Sequence, residues 1–187
     1  YMTDKIDGKR AICFIDPKQS YALTDTETTL PIKSNLTHIL DTEFYDSHYY
    51  IFDVMVWEDE VVTEMPFKER LALFDKAAAL SPLFKVKPFI KLTDKYAKQI
   101  TAFKKEKKPY DVDGIILTPE DGQYDTMRVY KYKPVEHLTV DFLIKKCPER
   151  LLGIKPYLPK PNRENVYILF CGINKNVYMK LGMRLIR

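Results

Sequence analysis

Short apolar and aromatic runs, separated by polar stretches, recur through the first sixty residues and predict β-strands there. Val, Ile, Tyr and Phe, which fit a pleated surface, are frequent in these runs. The predicted strands cover residues 9–15, 21–23, 37–45 and 49–57. Polar residues separate them, so residues 24–29 are predicted as a turn and Asp46-Ser47 as a hairpin turn. Because the connections are short, we expect an antiparallel meander.

The apolar spacing changes after residue 65. Pro66 suits the first turn of a helix, and the apolar residues that follow lie three or four apart, which predicts an amphipathic helix over residues 66–80. A second helix is expected at 93–107. Further strands are predicted at 85–92, 112–117, 128–133, 137–144 and 166–170, with a loop at 155–163 and a helical turn at 176–181. Strands mixed with two helices, rather than alternating with them, predict an α+β fold with largely antiparallel sheets.

Composition narrows the class of protein. A chain of 187 residues suits one medium domain, or a domain with part of another. No apolar run approaches the roughly 18 residues of a membrane span, so no membrane partner is expected. Cys13, Cys147 and Cys171 lie in or beside apolar stretches and are predicted to be buried thiols in a reducing compartment. The three histidines have no metal-binding spacing.

A net charge of +4 permits a polyanionic partner without requiring one. The most basic run is residues 104–108, at the end of the second predicted helix. Cations favour a helix C-terminus, so the run is interpreted as a solvated helix end, with a nucleic-acid patch as the alternative.

The opening stretch Lys5-Ile6-Asp7-Gly8-Lys9-Arg10 lies just before the first predicted strand. It could hold a nucleophilic amine beside a phosphate, although charged residues before a strand are commonly only solvated. A lysine has an ordinary pKa of about 10.4, so a nucleophilic lysine needs nearby cations or desolvation to lose its proton. The chain has no glycine-rich phosphate loop of known pattern. Any phosphate must therefore be bound by side chains.

Other residues could complete such a site. The predicted strand at 128–133 carries two cations on one face, two acids lie near strand ends, and an aromatic ring lies within a strand. These candidates are Lys131, Lys133, Glu43, Asp113 and Phe52, with Arg10 as a further cation. Each alone has an ordinary structural explanation, so their order along the chain carries the hypothesis.

Five segments together resemble the covalent nucleotidyltransferases, the superfamily of DNA ligases, RNA ligases and mRNA capping enzymes. Lys5 to Arg10 matches the KxDGxR motif of that superfamily. The remaining four resemble its later motifs in the right order: Leu40-Asp41-Thr42-Glu43-Phe44, Tyr50-Ile51-Phe52-Asp53-Val54-Met55, Val112-Asp113-Gly114-Ile115-Ile116 and Val129-Tyr130-Lys131-Tyr132-Lys133-Pro134. Thr42 stands where the superfamily usually has Gly, and Tyr132 where many capping enzymes have Trp.

Several details are more similar to capping enzymes than to ligases. Asp113 precedes Gly114 where ligases usually have Glu, and Pro134 follows the second lysine. The segment Leu138-Thr139-Val140-Asp141-Phe142 and the tail from Tyr167 to Ile186 resemble the large capping enzymes of cytoplasmic DNA viruses, of the African swine fever virus and poxvirus type. The sixth motif of the family is not found. The resemblance therefore implies an N-terminally incomplete nucleotidyltransferase domain at 1–136 and a partial OB-fold at 137–187.

The resemblance implies a two-step reaction. Lys5 attacks the α-phosphate of GTP, and the lysine-bound GMP passes to the 5′-diphosphate end of RNA. By the same resemblance, Arg10 and Glu43 hold the ribose and Phe52 stacks on guanine. Lys131 and Lys133 hold the α-phosphate, Asp7 orients the loop of the nucleophile, and Asp113 with Glu43 binds Mg²⁺ or Mn²⁺.

Partners and location follow from the same resemblance. Further capping domains are expected in the same polypeptide. The expected location is the cytoplasm, in a viral factory or virion, or the nucleus for a cellular capping enzyme. Two alternatives stay open: an ATP-dependent DNA or RNA ligase with a lysyl-AMP intermediate, and a non-catalytic RNA-binding module.

Overall fold

The computed structural model describes residues 1–135, 142–146, 166–174 and 177–185 of the chain. The chain divides into two compact units, Tyr1–His137 and Leu138–Arg187. The described strands of the first unit are β1 Met2–Ile6, β2 Lys9–Ile15, β3 Ser20–Leu23, β4 Glu27–Leu30, β5 His38–Tyr45, β6 His48–Trp57, β7 Glu60–Val61, β8 Phe84–Val86, β9 Phe89–Ile90, β10 Val112–Leu117 and β11 Tyr130–Tyr132. Its described helices are α1 Phe67–Leu71, α2 Phe74–Ala78 and α3 Tyr96–Lys105. The described strands of the second unit are β12 Phe142–Lys146, β13 Val166–Asn174 and β14 Val177–Leu185.

Two sheets make up the first unit. The larger has the order β4-β3-β2-β5-β6-β7, with β8 added to β6, and the smaller has the order β11-β10-β1-β9. Among the described strands only the β6–β8 pair is parallel. In the second unit, β12, β13 and β14 form an antiparallel sheet in that order. The predicted α+β class with largely antiparallel sheets is confirmed.

Each sheet of the first unit buries one face under helices. Phe67 of α1 and Phe74 of α2 are almost fully buried in the core of the larger sheet. Phe103 of α3 packs on Met2 and Ile115 of the smaller sheet. The chain passes from the smaller sheet to the larger at Asp7-Gly8, between β1 and β2. Lys5 and Arg10 consequently belong to different sheets.

Lys5 lies inside a strand, where the sequence predicted a position just before one. β1 was missed because Thr3, Asp4 and Lys5 give it no apolar alternation. The side chains of Thr3 and Asp4 are buried, but each has a hydrogen-bond partner. Thr3 Oγ1 donates to the carbonyl of Pro88 at 2.7 Å, and Asp4 Oδ2 accepts from Tyr110 Oη at 2.8 Å. Hydrogen bonding to distant residues therefore allows a polar segment to occupy a central strand.

The helices are shorter than predicted. The helix expected at 66–80 is divided into α1 and α2, because the N–H of Leu73 donates to the carbonyl of Arg70, three residues back, at 3.0 Å. The helix expected at 93–107 begins at Tyr96 and ends at Lys105. The solvated end predicted for residues 104–108 is wrong for Lys108, whose Nζ lies 3.6 Å from the centre of the Phe103 ring and 3.4 Å from Asp4 Oδ2.

Several strand predictions also need correction. The turn predicted at 24–29 overlaps β4, which pairs with β3. The strand predicted at 85–92 is divided at Lys87-Pro88, where the chain leaves β6 and joins β1, because proline has no N–H to donate to a ladder. The strand predicted at 128–133 is confined to β11. The helical turn predicted at 176–181 is wrong, since β14 pairs along its length with β13.

Other predictions are met only in part. β7 was not predicted; it follows a tight hairpin in which Glu58 and Asp59 have φ of 52° and 68°. Cys13 is buried, and burial raises the pKa of its thiol to about 12, as expected of an inert cysteine. Cys147, residues 137–141 of the predicted strand at 137–144 and the predicted loop at 155–163 lie outside the described residues. None of the described helices is long and apolar enough to cross a bilayer.

Candidate nucleotide-binding and catalytic site

A pocket of about 360 Å³ lies between the two sheets of the first unit. The smaller sheet contributes side chains from β1, β10 and the segment around β11, and the larger sheet contributes side chains from β2, β5 and β6. The charged and aromatic residues of its lining include Lys5, Arg10, Asp41, Glu43, Phe52, Lys87, Tyr124 and Lys131. Five of the predicted site residues therefore meet here, from positions up to 126 residues apart.

Asp113 joins Lys5 to Lys133. Lys5 Nζ donates to Asp113 Oδ2 at 2.6 Å, and Lys133 Nζ lies 2.9 Å from Asp113 Oδ1. These two ammonium groups lower the pKa of the Asp113 carboxyl, with the Lys5 hydrogen bond as the larger cause. The carboxylate therefore stays ionised and fixes the amine of Lys5 in one position.

Gly114 makes this cluster possible. Lys5 is the partner of Gly114 in the β1–β10 ladder, which brings Asp113 beside the lysine. The φ of Gly114 is 153°, and a Cβ there would lie 2.1 Å from the carbonyl oxygen of Tyr132. Any other residue would push β11 away, and Lys133 with it.

Arg10 is bound on the opposite side of the pocket. Its guanidinium makes two parallel hydrogen bonds to Asp41, Nε to Oδ1 at 2.9 Å and Nη2 to Oδ2 at 2.8 Å. Tyr124 Oη donates to Asp41 Oδ2 at 2.6 Å and accepts from Arg10 Nη2 at 3.0 Å. The Asp41 hydrogen bond raises the pKa of Arg10, and burial with that same carboxylate raises the pKa of Tyr124. This network holds a planar cation at the pocket wall.

Glu43 is the acid that faces the pocket from β5. Arg10 and Glu43 are partners in the β2–β5 ladder. Burial raises the pKa of the Glu43 carboxyl, while Lys87 and Lys5 act in the opposite direction. Gly8 permits the close approach of this strand, because a Cβ there would lie 2.9 Å from Glu43 Cγ. Thr42 is fully buried and its Oγ1 donates to the carbonyl of Ala11 at 2.7 Å, so the hydroxyl is accommodated without displacing Glu43.

Lys87 is a buried cation under the aromatic wall of the pocket. Its side chain is almost fully enclosed, its Nζ donates to the carbonyl of Asp4 at 2.8 Å, and it lies 5.6 Å from the centre of the Phe52 ring. Burial lowers the pKa of Lys87 to about 8. An ammonium group has three donors, so hydrogen-bonding capacity remains beyond the Asp4 carbonyl.

Arg70 and Asp53 form a fully buried ion pair at the pocket, and Asp53 is one of the residues that line it. Arg70 Nε donates to Asp53 Oδ1 at 2.7 Å and Nη2 to Asp53 Oδ2 at 2.9 Å. Arg70 Nη1 donates to the carbonyls of Met65 and Gly122, the latter at 3.1 Å. The pair thereby ties β6 and α1 to the segment that carries Tyr124.

The predicted residues differ in their placement. Lys5, Arg10, Glu43, Phe52 and Lys131 line the pocket, and Asp113 and Lys133 contact Lys5. Asp7 is exposed beyond β1, where its backbone N–H donates to the carbonyl of Asp111 at 3.1 Å. It lies outside the pocket lining, so its role in orienting the loop stays a prediction.

Sequence reasoning missed Lys87 and Tyr124. Lys87 lay in a segment predicted as an ordinary strand, and only its position before Pro88 marked it as unusual. Tyr124 lay among polar turn residues. Its contacts with Arg10 and Asp41 span 114 and 83 positions, so no local spacing indicated them.

The charges of the site favour an anion. Arg10 is paired with Asp41 and Arg70 with Asp53, which leaves the ammonium groups of Lys5, Lys87, Lys131 and Lys133 facing the carboxylates of Glu43 and Asp113. Such a surplus of cations in a concave, partly dry site attracts phosphate groups.

The carboxylates of the site could hold a divalent cation only if other groups supplied further ligands. Among the described residues no group of three or more His, Cys, Asp or Glu side chains is arranged to bind a metal. Mg²⁺ is commonly bound by one or two carboxylates, with the remaining ligands supplied by phosphate oxygens and water. Glu43 lines the pocket, whereas both carboxylate oxygens of Asp113 contact lysines, so metal binding by these two residues stays a prediction.

Comparison with known proteins identifies relatives over nearly the whole chain. The chain is 34% identical, over 98% of its length, to mRNA-capping enzymes from several isolates of African swine fever virus. It spans 22% of the length of those relatives. No protein-family model matches the chain. The resemblance predicted from the sequence, to viral capping enzymes of this type, is confirmed.

Solved structures agree on the fold. A mycobacterial DNA ligase D complexed with ATP and MES superimposes with a TM-score of 0.52 at 13% identity, covering 76% of this chain and 55% of the ligase. The ligase domain of M. tuberculosis DNA ligase D gives a TM-score of 0.51 at 11% identity, covering 98% of this chain and 66% of that domain. At these identities the likeness establishes the nucleotidyltransferase fold.

Proposed function

We propose that this chain, a relative of the African swine fever virus mRNA-capping enzymes, carries an mRNA guanylyltransferase site. The proposed reaction transfers GMP from GTP to the 5′-diphosphate end of RNA through a covalent lysyl-GMP intermediate. The observation that carries the proposal is the amine of Lys5, held 2.6 Å from Asp113 at a pocket with surplus positive charge. A lysine fixed beside phosphate-binding cations is what attack on an α-phosphate requires.

In the first step, Nζ of Lys5 forms a bond to the α-phosphorus of GTP. The bond from that phosphorus to the bridging oxygen of the leaving group breaks, and pyrophosphate departs with the electron pair. Before the attack, the ammonium group of Lys5 loses one proton to solvent, because only the neutral amine has a free electron pair. The nitrogen loses a second proton to solvent or to the departing pyrophosphate as the N–P bond forms, and one N–H remains. In the second step, a terminal oxygen of the RNA 5′-diphosphate attacks the same phosphorus and the nitrogen of Lys5 leaves, so the enzyme is regenerated.

Charge stabilisation in both steps falls to side chains of the smaller sheet. Lys131 lines the pocket, and Lys133 binds the same carboxylate as Lys5, that of Asp113. These positions support a role for both lysines in neutralising oxygens on the α-phosphate. Asp113 holds the amine of Lys5 in one position through the 2.6 Å hydrogen bond. A divalent metal bound by Glu43 and Asp113 with the phosphates would supply further neutralisation of charge.

Lys87 supports guanine as the base. Phe52 lines the pocket, and Lys87 lies 5.6 Å from its ring centre on a buried side chain. A base stacked on Phe52 would meet the ammonium group of Lys87, which can donate hydrogen bonds but cannot accept them. Guanine presents the acceptor O6 where adenine presents the donor N6–H₂, so Lys87 favours guanine.

A labelling experiment tests the proposal. The chain is incubated with magnesium and α-labelled GTP, denatured, and examined for label that stays on the protein. We expect label on the wild-type chain and none on Lys5→Ala. The matched control is Lys9→Ala. Lys9 lies four residues after Lys5 and its side chain is exposed, so this variant should keep full labelling.

Three outcomes would contradict the assignment in different ways. Label on Lys5→Ala would remove Lys5 as the nucleophile. Label from ATP in preference to GTP would favour a polynucleotide ligase. Absence of label from either nucleotide, with RNA binding retained, would favour a non-catalytic RNA-binding module.

The wider setting is part of the same proposal. Because the chain spans 22% of its viral relatives, we propose that further capping activities reside in the same polypeptide. Its proposed location is the cytoplasm of the infected cell, at a viral factory or in the virion.

A further inference from the structure

Two half-exposed tyrosines lie on β11, the edge strand of the smaller sheet. Tyr130 is 54% and Tyr132 50% exposed, and they lie two residues apart. Residues i and i+2 of a strand share a face and are separated by roughly 7 Å. Large exposed rings in such a row commonly mark a binding surface.

The tyrosines occupy the face of the strand opposite the pocket. Lys131, between them, lines the pocket. Tyr132 is the ladder partner of Ile115, which is buried against Phe103 of α3 on the outer face. β11 therefore presents a phosphate-binding cation on one face and two stacking rings on the other, with only the free edge of the sheet between them.

A cation accompanies each ring. The guanidinium of Arg128 lies 5.3 Å from the ring centre of Tyr130, and Nζ of Lys104 lies 4.9 Å from that of Tyr132. The exposed side of α3 adds Lys98 and Lys105. Aromatic rings interleaved with cations are the chemistry that binds single-stranded nucleic acid, with bases on the rings and phosphates on the cations.

We infer that Tyr130 and Tyr132, flanked by Arg128 and Lys104, form a platform for the first nucleotides of single-stranded RNA. The inference rests on the proposed function, because it assigns these nucleotides to the acceptor strand. The RNA 5′ end must reach the phosphate site at Lys131, and the nucleotides after it must leave along an adjoining surface. The free edge of β11 is such a surface. The cations beside it, Arg128 and Lys104, complement the negative charge of an RNA backbone.

Binding of a short RNA tests the platform. The probe is a fluorescent single-stranded RNA of about ten nucleotides with a 5′-diphosphate, titrated with the full chain at several salt concentrations and followed by anisotropy. We expect the double variant Tyr130→Leu/Tyr132→Leu to lose roughly tenfold in affinity for each base that no longer stacks. Tyr130→Phe/Tyr132→Phe keeps both rings and should retain the wild-type affinity.

Two controls separate stacking from folding and from charge. Tyr96→Leu removes another exposed tyrosine, at the start of α3, and should leave RNA affinity unchanged. Arg128→Gln and Lys104→Gln should each weaken binding and reduce the slope of log affinity against log salt by about one if each contacts a phosphate. Thermal unfolding of every variant verifies its fold.

The outcome for the platform is independent of the outcome for the nucleophile. Unchanged RNA affinity in the double leucine variant, or no RNA binding by the wild-type chain at low salt, overturns the platform. Lysyl-GMP labelling of the same variant should stay at the wild-type level, because neither tyrosine lines the nucleotide pocket. Loss of RNA affinity in a chain that labels with no nucleotide would support the platform and contradict the proposed function.

Discussion

Two carboxylates of the first unit are each bound by cations, yet their surroundings differ. Asp53 is 1% exposed and makes a bidentate pair with Arg70, which is fully buried. Asp113 is paired with two lysines whose side chains are each 29% exposed. In the first cluster the charges match one to one and every donor is directed at a protein acceptor. The second cluster has one more cation than anions, and its member Lys5 lines the pocket.

This difference separates a structural ion pair from a reactive one. A dry, balanced pair has no capacity left for a ligand, and removing one partner leaves an unpaired buried charge. A half-exposed cluster with surplus positive charge contributes little to stability but retains donors for phosphate. Burial and charge balance, rather than the mere presence of acids and bases, therefore support the reactive role that we propose for the Lys5 cluster.

The largest expected effect is on stability, at the buried pair. Arg70→Met leaves Asp53 buried and unpaired, so we expect a loss of about 3–5 kcal/mol in the free energy of unfolding, measured by urea denaturation. Lys133→Met, in the half-exposed cluster, should cost no more than about 1 kcal/mol. The double variant Asp53→Leu/Arg70→Met should recover part of the loss. Equal losses in free energy of unfolding for the two single variants would show that the two clusters contribute equally to stability.

The next effect is on catalysis, at the half-exposed cluster. Asp113→Asn removes the charge that fixes the Lys5 amine, so the rate of lysyl-nucleotide formation should fall by about 10²-fold. The free energy of unfolding should change by less than about 1 kcal/mol. Single-turnover labelling with GTP measures the first quantity and urea denaturation the second. A variant that labels at the wild-type rate would assign Asp113 a structural role only.

A smaller effect concerns pH and Lys87. Burial lowers the pKa of Lys87 from its ordinary 10.5 to about 8, so between these values the unfolded chain binds more protons than the folded one. Stability from this group should therefore rise with pH between about 8 and 10.5, by at most about 1.4 kcal/mol per pH unit. Urea denaturation of the wild type and of Lys87→Met at several pH values measures the difference. Parallel pH profiles would show that Lys87 titrates normally.

The smallest effect is expected at Tyr124. Tyr124→Phe keeps the ring but removes the hydroxyl that joins Asp41 to Arg10, at a cost of about 1 kcal/mol. If Arg10 binds the nucleotide, the KM for GTP should rise by roughly fivefold while kcat changes little. Steady-state kinetics with GTP and RNA separates the two constants. A fall in kcat at constant KM would place Tyr124 in the chemical step instead.

Local patterns determined most of the strands. The run of β-branched and aromatic residues at 49–57 predicts β6, because such residues fit a pleated, buried surface. Asp46 and Ser47 are polar residues between two strand-like runs, which predicts a turn. Both have positive φ, at 44° and 64°. β1 could not be predicted, because its buried polar side chains depend on hydrogen bonds to residues distant in the chain. The division of α1 from α2 depends on one backbone hydrogen bond, from the N–H of Leu73 to the carbonyl of Arg70, and the apolar spacing gives no sign of it.

At the site, the residue types and their order along the chain could be predicted without coordinates. Lys5 in a KxDGxR motif and the lysines at 131 and 133 indicated phosphate chemistry before any distance was known. Tertiary structure alone decided that Asp113 lies between two of those lysines, that Arg10 is held by Tyr124, and that Lys87 is buried under Phe52. The physical reason is that covalent order fixes which groups are available, whereas burial, charge balance and hydrogen-bond geometry arise only when strands distant in the chain pair into sheets and the two sheets pack together.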